Sequence, residues 1–158
     1  ADDAIVVNVQ GDEPMIDPDI IDRLAKAFEG NDDLKMATMK VPMKESEYND
    51  PAAVKVVTDD NGYALYFSRS LIPYPRNEIE GMRVYKHVGV YAYRRDFLLQ
   101  YAALEPTMLE KVEGLEQLRA LENGYKIKVL ESDFQGIGID TPEDLEAINK
   151  LFAAKNNK

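Results

Sequence analysis

Ile5-Val6-Val7-Asn8-Val9-Gln10-Gly11-Asp12-Glu13-Pro14 is the stretch on which the fold turns. Its first five residues are apolar and mostly β-branched, a pattern that predicts a central strand buried on both faces. Gly11 to Pro14 then break the strand. Open α/β sheets collect their ligands beyond the carboxyl ends of the strands, which is where Gln10, Asp12 and Glu13 fall. Gly11 allows a sharp turn or a close approach of backbone to ligand. The same residues would serve equally well as a polar exit from a strand.

Outward from this strand, helix and strand patterns alternate. Asp17 as N-cap and Pro18 at the first helical position open an apolar stripe of Ile20, Ile21, Leu24, Ala25, Ala27 and Phe28 that ends at Gly30. A strand is expected over Met36 to Val41. Val54 to Thr58 and Tyr63 to Phe67, joined through Asp60-Asn61-Gly62, read as a hairpin, because Asn-Gly supplies positive φ. Residues 71–83, with Pro73, Pro75 and Gly81, read as a surface loop. A strand from His87 to Tyr93, a short helix from Asp96 to Ala103, one longer helix from Leu109 to Asn123 closed by Gly124, and a strand from Lys126 to Glu131 follow. Thr141 and Pro142 begin a terminal helix, and the 155–158 tail is expected to fray. Alternation at both ends with a β-rich insertion between them predicts one α/β domain over 1–158.

Composition narrows the function. The chain has 158 residues, 45% of them hydrophobic and 30% charged, as in ordinary globular domains. Its formal net charge of -10 argues against binding nucleic acid, whose phosphates it repels. With no cysteine, disulfides, thiolate catalysis and cysteine zinc sites are excluded. No apolar run approaches the ~20 residues needed to cross a bilayer, and no secretion signal is visible. A soluble, cytoplasmic domain is expected.

Several residues could carry chemistry. Asp140 lies in Gly136-Ile137-Gly138-Ile139-Asp140-Thr141-Pro142, just before a capped helix. It suits a helix N-terminus electrostatically, but with Asp12 it could also supply the paired carboxylates that hold Mg²⁺ beside phosphates. His87, the single histidine, shares one strand face with Gly89, Tyr91 and Tyr93, and the glycine leaves room above that face. In the 109–123 helix, Leu109, Val112, Leu115, Leu118 and Leu121 form an apolar arc. Glu116 and Arg119 fall inside it, three apart and able to pair, with Gln117 beside them. Arg69 follows an aromatic strand and offers a planar fork to a carboxylate or phosphate.

The order of these blocks carries a resemblance. Val7 to Pro14, Ala53 to Val57, Tyr63 to Ser70 with Ile72-Pro73-Tyr74, His87 to Arg94, Leu115 to Arg119 and Gly138 to Leu145 closely resemble the 3-deoxy-manno-octulosonate (Kdo) cytidylyltransferases, over nearly the whole chain. The resemblance implies a three-layer, Rossmann-like α/β nucleotidyltransferase fold of the nucleotide-diphospho-sugar transferase type. It implies a Mg²⁺-dependent homodimer that joins CTP and Kdo to give CMP-Kdo and pyrophosphate for bacterial lipopolysaccharide. Asp12 and Asp140 become the catalytic metal carboxylates, and Gln10, Arg69, His87, Tyr91, Glu116 and Gln117 shape the sugar-acid pocket. The family's opening strand and basic glycine-containing loop have no counterpart before Ala1. The chain is therefore expected to be the N-terminally truncated, C-terminal majority of such an enzyme, inactive in isolation. Two rival expectations remain: a cytidylyltransferase for another sugar acid (a sialate or an 8-amino Kdo analogue), or a non-catalytic dimerisation or binding module.

Overall fold

The computed structural model describes residues 4–10, 17–132, 142, 143, 146, 149 and 150. Six strands, β1 (Ile5–Val9), β2 (Met36–Pro42), β3 (Lys55–Thr58), β4 (Ala64–Ser68), β5 (Tyr85–Arg94) and β6 (Ile127–Glu131), form one sheet in the order β4-β3-β5-β2-β6, with β1 paired to β5. β5 runs antiparallel to β1, β2 and β3, whereas β2 and β6 are parallel. Strands β1, β2 and β6 therefore leave the sheet at the same edge.

Helices cover both faces. On one, α1 (Pro18–Lys26) buries Ile20 and Leu24, with Phe28 beyond its end, against Ala37, Met39, Val41, Val88, Val90 and Ala92. Asp17 caps it as expected, its carboxylate accepting from the Asp19 N–H at 2.9 Å, with Pro18 at the first position. On the other face, α2 (Arg95–Ala102) and α4 (Leu118–Glu122) contribute to a core of Phe97, Tyr101, Leu115, Leu118, Met36, Phe67, Tyr91, Tyr93, Ile127 and Val129, whereas α3 (Met108–Glu113) buries none of its residues. This is the expected three-layer architecture. The β3–β4 hairpin forms where Asn61-Gly62 predicts it, with Gly62 at φ 81°. Its tip curls back to β6, the Val129 N–H donating to Gly62 O at 2.8 Å. None of the described helices is long and apolar enough to cross a membrane.

Two expectations need correction. Among the described residues β1 pairs with β5 alone. It is thus an edge strand rather than one buried on both faces, and Val9 is 38% exposed. The single helix over 109–123 is two short helices. Gly114 takes the left-handed conformation at φ 65°, ends α3, and α4 begins afresh after Gln117.

Candidate functional site

The long strand β5 changes partners halfway along one edge. Tyr85 and Lys86 pair with β3, and Val90 to Arg94 pair with β1. Between these blocks the His87 N–H donates to Val54 O at 2.8 Å, and the Gln10 N–H donates to Gly89 O at 3.2 Å. The edge is thus handed from one strand to another across residues 87–89. The Gln10 side chain comes to lie over Gly89, its Oε1 2.6 Å from where a Cβ would stand. Gly89 therefore makes the space that Gln10 occupies.

The alternation of β5 places His87 and Tyr91 on one face, their ring centroids 5.4 Å apart, with Phe67 edge-on to His87 at 4.9 Å. The ring contacts continue from Tyr91 to Tyr93 at 5.9 Å and from Tyr93 to Tyr101 at 6.1 Å. The Tyr101 hydroxyl donates to Glu116 O at 2.8 Å. A continuous aromatic row thus connects His87 with the 114–117 turn that carries Glu116 and Gln117. Burial, and then neighbouring charge including that of Glu116, push the Tyr93 and Tyr101 hydroxyls well above the usual phenol range. Both are held as neutral phenols. His87 is buried, its Nε2 2.9 Å from Thr38 Oγ1, and burial lowers its pKa to about 3. At neutral pH it is an uncharged imidazole and too weak a base to hold a proton.

Glu116 is exposed and Gln117 buried. The expected Glu116–Arg119 pair does not form. Arg119 instead makes a two-pronged contact with Glu110 of α3, Nη2 to Oε1 at 2.5 Å and Nε to Oε2 at 2.8 Å. The Arg119 guanidinium is taken up by Glu110, while Glu116 lies exposed on the turn before α4, its carbonyl accepting from the Arg119 N–H at 3.0 Å.

Arg69 is engaged by backbone carbonyls of the protein. Its Nε donates to Glu113 O at 2.7 Å, Nη1 to Pro51 O at 2.8 Å and Nη2 to Gly114 O at 3.2 Å. The Glu113 carboxylate in turn accepts from the Arg69 N–H at 2.9 Å and from Ser68 Oγ at 3.1 Å. Fully buried Lys55 donates to Asp50 O at 2.8 Å and Arg69 O at 2.9 Å. These groups clasp the end of β4, residues 50–51 and the 113–114 turn immediately before Glu116 and Gln117. Thr38, Tyr101, Lys55 and Glu113 are the residues around the site that sequence reasoning missed. A lone hydroxyl in Met36-Ala37-Thr38-Met39 and a lysine in an apolar strand were the available signals.

Asp12 and Asp140 lie outside the described residues. Among the described residues no group of three His, Cys, Asp or Glu could hold a metal ion. Asp12 follows the end of β1 by three residues and Asp140 the end of β6 by nine. The two strand ends share one sheet edge, three strand spacings or roughly 14 Å apart, a width the intervening chain is long enough to cross. Two carboxylates are an oxygen donor set of the type Mg²⁺ takes.

The chain is 49% identical, over 97% of its length, to a 3-deoxy-manno-octulosonate cytidylyltransferase of Fusobacterium nucleatum, and covers 62% of that protein. It is 51% identical, over 89% of its length, to the enzyme of the same name from Trichlorobacter lovleyi, covering 60% of it. A solved structure of CMP:2-keto-3-deoxy-manno-octonic acid synthetase complexed with CTP superposes with a TM-score of 0.88 at 45% identity, over 96% of this chain and 62% of that one. The chain thus spans less than two thirds of the length of these relatives. The family profile described as cytidylyltransferase matches residues 1–127, the greater part of the sheet and the helices on both its faces, so the chain belongs to the cytidylyltransferase family.

Proposed function

We propose that the whole protein transfers CMP from CTP to Kdo, releasing pyrophosphate, and that this chain supplies the sugar-acid pocket. The observation that carries this reading is the β5 face: uncharged His87, Tyr91 and Gln10 come together where the sheet edge changes hands, with the Gln10 side chain seated over Gly89. Neutral, fixed hydrogen-bonding groups beside aromatic rings suit a polyhydroxylated sugar. The names of relatives that are about half identical supply the sugar and the nucleotide. The oxygen of the anomeric hydroxyl attacks the α-phosphorus of CTP, a new P–O bond forms, the bond to the β-phosphate bridge breaks, and the hydroxyl proton is lost. Little covalent work falls to side chains in such a transfer; position and charge dominate. Gln10, His87, Tyr91 and Gln117 would bind and orient the sugar acid, with Glu116 at the rim. The clasp of Arg69, Glu113 and Lys55 would hold the turn that presents the last two.

Mg²⁺ belongs to the same proposal: Asp12 and Asp140 would hold it, and its charge would neutralise phosphoryl oxygens. A homodimer is proposed as the working form, for which exposed Leu65, Met108 and Val112 provide apolar surface. The test is pyrophosphate release by the whole protein with CTP and Mg²⁺ against a panel of Kdo, a sialate and an 8-amino Kdo analogue. Release with Kdo, abolished by Asp12→Asn and by Asp140→Asn, is the expected result. Preference for another acid would redirect the assignment, and full turnover in either variant would remove the metal site from it.

A further inference from the structure

Thr38 is fully buried on β2 at a shift in register, where Thr38 pairs with Tyr91 but Met39 pairs with Val88. The irregularity brings two backbone carbonyls of β5 to one hydroxyl, Val90 O at 2.6 Å and Val88 O at 3.3 Å. His87 Nε2 is the third group there, at 2.9 Å. A carbonyl oxygen has no proton to give, and two oxygens at 2.6 Å repel unless a proton lies between them. The Thr38 proton is therefore committed to Val90 O, and toward the imidazole Thr38 Oγ1 can only accept. Nε2 must donate. A neutral imidazole has one N–H, so Nδ1 is left with its lone pair. Burial keeps a second proton off the ring. Among the described residues no other group hydrogen-bonds the ring.

We propose that Thr38 is a positioning residue: its hydroxyl locks His87 in the Nε2–H tautomer, so that Nδ1 is a fixed acceptor that selects a hydroxyl of the ligand over a carboxylate or phosphate oxygen. The tautomer stands on the geometry alone, whereas the identity of the hydroxyl donor rests on the sugar-acid function proposed above. Selection follows because an ionised carboxylate or phosphate oxygen only accepts, and two lone pairs facing each other in a buried site are unfavourable.

His87 is the single histidine of this chain, and ¹⁵N imidazole NMR of the protein, with its resonances identified by their loss in His87→Gln, reads this. Wild type should show a pyrrole-like Nε2 and a pyridine-like Nδ1. Added Kdo should move the Nδ1 resonance upfield and leave Nε2 protonated. Thr38→Val should yield mixed tautomers and about tenfold weaker Kdo binding, and Thr38→Ser, which keeps the hydroxyl, should restore both. An Nδ1–H ring or an imidazolium in wild type at neutral pH overturns the proposal, and that spectrum decides even if Thr38→Val does not fold. A valine variant with tautomer and affinity intact overturns it as well. Kdo-induced shifts elsewhere in the chain with Nδ1 unmoved refute the hydroxyl selection. If Kdo moves nothing while the tautomer follows Thr38 as stated, the lock is upheld and the sugar-acid assignment is what fails.

Discussion

A methyl group on residue 89 would stand 2.6 Å from Gln10 Oε1 and 3.1 Å from its Cδ, both at the far end of a flexible side chain. Gly89 does not sit at positive φ, so Gly89→Ala meets no backbone strain and restricts the unfolded chain, which tends to stabilise. Stability and ligand binding should therefore separate. The urea midpoint is expected to hold or rise, while Kdo titration shows affinity reduced about tenfold or more as Gln10 is displaced. Unchanged affinity would remove Gln10 from the pocket. That His87, Gly89 and Tyr91 share a face was legible from strand alternation, whereas Gln10 entered the pocket only through the family resemblance. Thr38 was not, since a hydroxyl in an apolar strand looks like any satisfied core residue until the register shift brings two carbonyls and an imidazole to it.

The turn between α3 and α4 shows what periodicity conceals. Leu109, Val112, Leu115, Leu118 and Leu121 stay in helical phase across Gly114, so the arc looks continuous. Only its second half is core: Leu115 and Leu118 are buried, while Leu109 and Val112 are exposed. The glycine was the better guide, as a left-handed residue that stops a helix. The break matters for the proposed pocket, because Glu116 and Gln117 lie on a clasped turn just before α4 rather than within a helix. At φ 65° and ψ 39° an alanine is strained, and Arg69 Nη2, 3.8 Å from the added Cβ, leaves room for it. Gly114→Ala should cost about 1–2 kcal/mol in urea unfolding, and Gly114→Asn less, since asparagine visits this conformation more readily. Equal costs would mean that crowding, not backbone conformation, explains the glycine.

For the whole molecule, the three-layer order of elements was readable because most strands and helices carry their own period, while the shared direction of β1, β2 and β6 is set by how they pair with β5 and β2. The handover of the β5 edge was not readable, because it depends on which distant strands pair with each half of one strand. That handover leaves His87 enclosed, and enclosure makes folding stability sensitive to acid. In the unfolded chain the imidazole takes a proton near its ordinary pKa of about 6.5, and in the folded chain only near about 3. Between these values the unfolded state binds more protons, so stability rises with pH through the window and is lost as pH falls through it. The contribution is complete above about pH 6.5, declines below it, and is gone below about 3, on the order of a few kcal/mol in all. Carboxylates titrate in the same range, so the decisive comparison is with His87→Gln, whose amide nitrogen can still donate to Thr38 but takes up no proton. Urea unfolding at pH 7.5, 5.5 and 4.5 (about one proton-binding window) should show wild type losing stability faster than the variant at each step down. Parallel declines would mean that the imidazole titrates alike folded and unfolded, which a side chain enclosed between Phe67, Tyr91 and Thr38 cannot do.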